Sequence, residues 1–382
     1  MLPALPDLIK QLIAAPSVSS TKPELDTSNE AVIHLLADWF KTLDFKVELQ
    51  TVSLGKKNLI ATIGTGSGGL VLSGHTDTVP YDLERWTCDP FKITEQDHKF
   101  YGLGTCDMKS FFAFAIEAIK TFNSQDFKRP LIILATADEE TTMSGAKALL
   151  NYPLSKPRHA IIGEPTNLKP IRMHKGILME KIHIQGLAGH SSNPDLGHNA
   201  IEGMVDVLAT LSHWRNELQQ KHQNPAFAVP HPTLNFGHIH GGDNPNRICG
   251  ACELHIDLRP LPGMSLDNLR ETLSLKLQAV AKDSPFSITQ SALFDGIPAV
   301  ETDANKDIVK AAEQLTGATA EAVAFGTEAP YLKQMGMDTI VLGPGSIDQA
   351  HQPDEFIRLD QFNPTVHLLQ QMIHRYCVQA HD

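Results

Sequence analysis

The run Leu70-Val71-Leu72-Ser73-Gly74-His75-Thr76-Asp77-Thr78-Val79-Pro80 limits what this chain can fold into more than any other stretch. Its opening residues are apolar or small without alternation, the pattern of a strand covered on both faces. Such strands belong to parallel or mixed sheets flanked by helices, which predicts an α/β fold. Gly74 lets the backbone turn, and an imidazole and a carboxylate follow where the strand would end. In open α/β sheets, ligands bind at strand ends. Side chains two apart share a face of an extended chain. His75 and Asp77 can therefore point the same way, or Asp77 can fold back on the ring, as carboxylates do behind metal-bound histidines. A polar turn with no metal is the competing reading of this stretch alone.

The same arrangement recurs along the chain. Leu131 to Thr136 is an apolar strand that runs into Asp138-Glu139-Glu140. Three adjacent acids repel one another, and such clusters persist where a cation neutralises them. His159 to Ile162 is a strand ending in Gly163-Glu164-Pro165-Thr166. Asp107, in Gly102-Leu103-Gly104-Thr105-Cys106-Asp107-Met108-Lys109, precedes an amphipathic helix carrying Met108, Phe112, Ala115, Ile116 and Ile119. Alone, Asp107 reads first as a helix N-cap or first-turn acid. Thr339 to Leu342 is a further strand, and Gly343-Pro344-Gly345 leads on to Gln349-Ala350-His351.

Between these pieces lies a section of different character. Lys181 to Gln185, Thr233 to His240, Ile248 to Leu258 and Phe286 to Thr289 read as strands. Helices striped by Ile201, Met204, Val205, Leu208 and Leu211, and by Leu266, Leu269, Leu273, Leu277 and Val280, alternate with them. The order is βαββαβ, the split pattern of a small sandwich. It predicts an inserted domain over 178–290, with 1–177 and 291–382 as the two parts of the domain it interrupts. Thr27-x-x-Glu30 reads as a capping box opening a helix with Val32, Leu35, Leu36, Trp39, Phe40 and Leu43 inward. Phe45, Val47, Leu49 and Thr51 alternate as a strand. Gly64 to Gly69 is glycine-rich, but no Lys-Ser/Thr and no helix follow, so it reads as a turn rather than a phosphate loop.

The net charge is −12. That excludes nucleic acid as a natural partner, since its phosphates would be repelled, and it favours a cationic or zwitterionic small molecule. No segment reaches the ~18 apolar residues of a membrane helix. The N-terminal Met1 to Pro16 has no basic start and is interrupted by Asp7 and Lys10. It reads as a helix with Leu5, Leu8, Ile9, Leu12 and Ile13 inward, not as a signal peptide. The five cysteines are too few for a disulfide framework, and Cys249 and Cys252 sit in an alternating strand rather than a zinc knuckle. A reducing cytoplasm fits this usage.

His75, Asp107, Glu140, Glu164 and His351 all stand at turns beside buried elements, the edge at which a doubly wound sheet gathers its functional side chains. Five nitrogen and oxygen donors without a thiolate suit Zn²⁺, Co²⁺ or Mn²⁺ in a catalytic site. One acid bridging two ions, with two ligands more for each, accounts for all five. Glu139 is then left over to act as general base.

The stretches Ser73 to Pro80, Gly102 to Lys109, Asp138-Glu139-Glu140, Gly163-Glu164-Pro165, Gly189-His190-Ser191-Ser192 and the late His351 together resemble the M20 family of co-catalytic zinc peptidases and deacylases. The resemblance implies a zinc-exopeptidase-like mixed-sheet catalytic domain. The inserted βαββαβ, ferredoxin-like domain would serve as lid and dimerisation surface of a homodimer. It implies two divalent ions, Zn²⁺ or else Co²⁺, with Asp107 between them, His75 and Glu164 completing one site, and Glu140 and His351 the other. Asp77 would orient His75, and Glu139 would move protons for a metal-activated water attacking a linear amide. His190, on the inserted domain, would polarise the carbonyl of an N-acyl amino acid. Arg259, in Asp257-Leu258-Arg259-Pro260, would hold the substrate carboxylate, helped by Asn246, Gly326 and Thr327. Arg259 also reads as an ordinary ion-pair partner. His174, His183, His238, His240 and His255 are left without a role. Of other classes, a nucleotide-dependent oxidoreductase lacks its glycine fingerprint, and a non-catalytic metal binder has no use for Glu139.

Overall fold

A computed structural model describes residues 2–154, 156–282 and 284–379. The chain forms two compact units. Met1–Arg172, Thr302–Glu321 and Thr327–Asp382 make the first, and Met173–Glu301 with Ala322–Gly326 make the second. The second unit is wider than 178–290 because its entering and leaving segments are tied together. Ile177 and Ile297 exchange both backbone hydrogen bonds at 2.8 Å, and the Lys175 N–H donates to the Val323 carbonyl.

In the first unit the strands Lys46–Ser53, Lys56–Ile63, Leu131–Thr136, Leu70–His75, His159–Pro165 and Asp338–Gly343 lie side by side in that order. The first two pairings are antiparallel and the last three parallel, so the sheet is mixed. Every residue of Leu70–His75, Leu131–Thr136 and His159–Pro165 is buried, as unbroken apolar runs require when helices cover both faces. Lys46–Ser53 behaves differently. It pairs on one side only, and Leu49 stays 41% exposed, so the alternation from Phe45 to Thr51 marks an edge strand rather than a buried face.

Two local expectations are overturned. The helix Ser110–Ile119 is not amphipathic: all of it but Glu117 is buried. Its phenylalanines fill the core, Phe114 meeting Phe362 edge-on at 5.1 Å. Nor does Thr27 open a capping box. The Thr27 hydroxyl accepts the Val18 N–H at 2.6 Å, and the helix Glu30–Thr42 begins without a side-chain cap. The preceding residue, Asn29, is fully buried and turns elsewhere. It donates to the Lys57 carbonyl and the Thr76 hydroxyl and accepts the Lys57 N–H, all within 2.9 Å. Long-range partners outbid the local cap.

The second unit holds a four-stranded antiparallel sheet in the order Thr233–Gly241, Ala251–Arg259, Leu178–Gln185, Ser287–Ala292. The helices Ala200–Lys221 and Leu266–Ala281 interleave with these strands in the order β-α-β-β-α-β. Leu178, Ile182, Ile184, Leu254, Ile256 and Leu258 form one core with Met204, Val207, Leu211 and Leu273. Cys249 and Cys252 are buried there as free thiols. Among the described residues, no helix is long and apolar enough to cross a membrane.

Candidate metal centre

Parallel pairing puts the C-terminal ends of several strands on one edge of the first unit's sheet. His75 is the last residue of its strand, Glu164 the last but one of its own, and Glu139 and Glu140 follow Leu131–Thr136. Asp107 stands in the turn before Ser110–Ile119, and His351 lies beyond Asp338–Gly343. These side chains meet. His75 Nε2 is 3.0 Å from Asp107 Oδ1 and 3.6 Å from Glu164 Oε1. His351 Nε2 is 3.0 Å from Glu140 Oε2 and 3.6 Å from Asp107 Oδ2. Asp107 thus turns one oxygen toward each imidazole. Ligand atoms of His75, Asp107 and Glu140 lie within 4.8 Å of one another, as do those of His75, Glu139 and Glu164. His351 is half exposed and the others are buried or nearly so.

The electrostatics fit a cationic guest. Burial, reinforced by Asp107, pushes the Glu164 carboxyl well up, and burial with Asp107 raises Glu140 as well. Burial together with Glu164, Glu140 and Glu328 lifts Glu139 well above the usual carboxylate range. His75 loses charge stability through burial, yet Glu164, Asp107 and Asp77 outweigh that and raise it. The hydrogen bond to Glu140 brings His351 up to about 9. So many acids share a dry site only by retaining protons or by binding cations. The donor set is two imidazoles and several carboxylates, apt for a hydrolytic Zn²⁺-type site. Cys106 does not join it, because its thiol donates to the Ser346 carbonyl.

Around these residues stands a frame of hydrogen bonds. His75 Nδ1 faces the Asp77 backbone carbonyl at 3.0 Å, while the Asp77 carboxylate is 3.6 Å from the same nitrogen and accepts the Glu140 N–H at 3.0 Å. A backbone carbonyl thus holds the His75 ring most closely, with the Asp77 carboxylate beside the same nitrogen, and the Asp77 side chain also fixes the Glu140 backbone. Asp138 also leaves the acidic triplet. Lys56 Nζ sits at 2.9 Å, and the hydroxyls of Ser19 and Ser144 donate to it. Asp138 and His351 both take left-handed backbone, φ 55° and 61°, a conformation that recurs at functional turns.

Residues 71–375 match the family described as Peptidase family M20/M25/M40. The chain belongs to this family. Among curated M20-type relatives, an acetylornithine deacetylase of Pectobacterium carotovorum is 51% identical over 98% of both chains. An acetylornithine deacetylase of Aliivibrio salmonicida is 49% identical over 98% of this chain and 99% of that one. Of solved structures, an M20 family metallo-carboxypeptidase from Sulfolobus solfataricus aligns with TM-score 0.77 at 18% identity, covering 97% of this chain and 99% of that one. Aminopeptidase PepT from Bacillus cereus aligns with TM-score 0.76 at 19% identity over 97% of each. The M20 fold is thereby shown, and the chain is a metal-dependent hydrolase of amide bonds.

The substrate-side candidates of this M20 chain fall in both units. His190 is exposed, with Nδ1 against the Ser192 hydroxyl at 2.7 Å and the Ser192 N–H at 3.2 Å. The neighbouring Ser191 N–H donates to the Asn246 carbonyl, so His190 and Asn246 occupy adjoining loops. Arg259 Nε donates to both oxygens of Asp257 at 3.0 Å, the ion pair its sequence also allowed. Gly326 closes the second unit and Thr327 reopens the first. The Thr327 hydroxyl accepts the Ala329 N–H at 3.2 Å.

Three buried groups escaped the sequence reading. Glu355 accepts the N–H groups of Gly104, Cys106 and Asp107 at 2.7–3.0 Å and so fixes the loop that carries Asp107. Burial still pushes its carboxyl up to about 8. Lys109 donates to the Ala15 carbonyl, and burial lowers it to about 7. Glu328 is raised by burial to about 7. Asp354-Glu355, four residues past His351, is the one signal that could have flagged the first of these.

Proposed function

We propose that this chain is an acetylornithine deacetylase, converting N²-acetyl-L-ornithine and water to L-ornithine and acetate. Relatives of about 50% identity over nearly the whole chain support the substrate. So do Gly343 to His351, which look like the deacetylase, and Gly326-Thr327-Glu328-Ala329, which separates the chain from the related succinyl-diaminopimelate desuccinylase. The observation that carries the chemistry is Asp107, with one oxygen facing His75 and the other facing His351. In this reading His75 and Glu164 would hold one divalent ion, Glu140 and His351 would hold a second, and Asp107 would serve both. Zn²⁺ suits these donors best, and Co²⁺ is the alternative. When bound, such a pair supplies Lewis acidity, lowering the pKa of a shared water and polarising the acetyl carbonyl.

The chain's own residues do the rest. Glu139, beside the ligand Glu140 and held in a dry acidic pocket, takes the proton of the attacking water and returns it to the leaving nitrogen. The Ser192 N–H aimed at His190 Nδ1 leaves the neutral ring's proton on Nε2, the polarity needed to stabilise a carbonyl oxyanion. Asp77 steadies the His75 and Glu140 backbone turns. Arg259, with Asn246, Gly326 and Thr327, takes the α-carboxylate and the amide, guanidinium forks being suited to carboxylates. The inserted domain, 178–290 in its core, acts as lid and dimer surface of a cytoplasmic homodimer. Neither nucleic acid nor membrane is a partner. Side-by-side kcat/KM on acetylornithine, succinyl-diaminopimelate and a plain N-acetyl amino acid tests the substrate. At least a hundredfold preference for acetylornithine is expected, and a preference for the succinyl compound overturns the assignment in favour of the desuccinylase.

A further inference from the structure

The second unit holds an imidazole–carboxylate cluster that the deacetylase reading does not use. In Ala251–Arg259, Cys252, Leu254 and Ile256 face the helices, and Glu253, His255 and Asp257 face away. On the neighbouring strand Thr233–Gly241 the register shifts between Phe236 and His238. One extra residue, Gly237, reverses which side chains face outward beyond it, the usual effect of a bulge. It brings His238 opposite His255 and His240 opposite Glu253 on the open face. Without that shift His238 would point into the core.

The contacts repeat the signature of the metal centre. His255 Nε2 lies 2.7 Å from Glu253 Oε1, as His75 and His351 lie 3.0 Å from their carboxylates. The His238 and His255 rings stand 4.6 Å apart and 36° from parallel. Ligand atoms of His238, Glu253 and His255 all fall within 4.8 Å of one another. We propose that these three residues form a further divalent-metal site of the Zn²⁺ class, independent of the catalytic pair. Two imidazoles and one carboxylate supply three protein ligands, and water completes a tetrahedron. Imidazole rings stacked across a solvent-facing strand pair bury little apolar surface, so packing does not account for them.

One group opposes the ion. Lys181 stands opposite His255 on the other flank, with Nζ 3.6 Å from Glu253 Oε2. Its ammonium repels a cation, so this site binds more weakly than a buried carboxylate-rich one. His183, opposite Glu253 on the same flank, adds no charge when neutral.

The test uses the full-length enzyme dialysed against a series of buffered Zn²⁺ concentrations, with zinc per chain measured by mass spectrometry. His238→Asn/His255→Asn should hold one zinc fewer per chain than wild type at saturation, with turnover within twofold. Because the reading is a difference, it does not depend on how many ions the catalytic site takes. Lys181→Gln should tighten the extra ion at least threefold. Equal zinc in wild type and the double variant throughout the series overturns the proposal, and so does a Lys181→Gln titration that superimposes on wild type.

Discussion

The two units reach imidazole–carboxylate clusters by opposite geometries. In the first, residues 75, 107, 140, 164 and 351 come from distant parts of the chain because the central strands are covered on both faces. Only the strand ends are open, so chemistry collects there. In the second, helices pack on one face of an antiparallel sheet, and the side chains on its other face are part-exposed. His238, Glu253 and His255 meet across a single strand pair. A doubly covered sheet confines function to its rim, whereas a half-covered one can carry it on its face. The first arrangement orders its side chains through many buried neighbours. The second leaves them on a surface that tolerates change.

Glu139→Gln probes the rim most severely. The amide keeps the shape and cannot shuttle protons, so kcat should fall about a thousandfold or more, while metal content and far-UV dichroism stay as in wild type. Loss of metal along with turnover would instead make Glu139 a ligand, an outcome its place within 4.8 Å of His75 and Glu164 makes worth excluding. Asn substitutions at His238 and His255, by contrast, should leave turnover alone.

Packing contrasts just as sharply. A methyl group on Gly163, in the covered sheet, would meet the Phe111 ring at 2.1 Å. Gly163→Ala should lower stability by about 3 kcal/mol or more and displace Glu164 beside it. On the half-covered sheet, a methyl on Gly237 would find nothing nearer than Asn235 Nδ2 at 3.5 Å, so Gly237→Ala should shift stability by less than about 0.5 kcal/mol. Equal losses in chemical denaturation would erase the distinction between the sheets.

What the sequence disclosed follows the same division. Buried strands were legible as unbroken apolar runs, and the residues just past them were legible as candidate ligands. The alternation of Cys252, Leu254, Ile256 and Leu258 likewise exposed the half-covered strand. Side chains whose partners lie outside their own local pattern were not legible. Thr27 has the local pattern of a cap, but its hydroxyl is taken by Val18. Asp138 looks like a third metal acid, but Lys56 neutralises it. Glu355 carries no motif, and its worth lies in three backbone N–H groups some 250 residues earlier in the chain. The edge position of Lys46–Ser53 and the burial of all of Ser110–Ile119 but Glu117 depend on which neighbours arrive, which periodicity does not encode.

Each unit also buries a histidine that must stay neutral. Burial lowers His159, in the first, and His174, in the second, to about 4 from an ordinary 6.5. The unfolded chain binds their protons more readily, so stability rises with pH wherever only the unfolded form is protonated. Each histidine's contribution is whole above pH 6.5 and is lost as pH falls toward 4, about 3 kcal/mol per group over the full window. His159→Gln and His174→Gln should each flatten the pH dependence of melting between 6.5 and 4. If the units unfold separately, each variant flattens one transition only. Profiles parallel to wild type would mean that the rings are already charged in the folded state.

Two asparagines that both precede helices extend the comparison. Asn29, in the first unit, spends its side chain on Lys57 and Thr76, the latter lying between His75 and Asp77. Asn29→Ala strands buried partners and should lower stability by about 2 kcal/mol, with a severalfold drop in kcat as the His75 turn loosens. Asn199, in the second, is a local cap that accepts the Ile201 N–H at 3.1 Å. Asn199→Ala should lower stability by about 1 kcal/mol and leave kcat unchanged. Denaturation midpoints and kcat on the same preparations decide it. If Asn199→Ala slows turnover as much as Asn29→Ala, the second unit's frame is as tightly coupled to the chemistry as the first's, and the contrast between rim and face does not extend to the helices behind them.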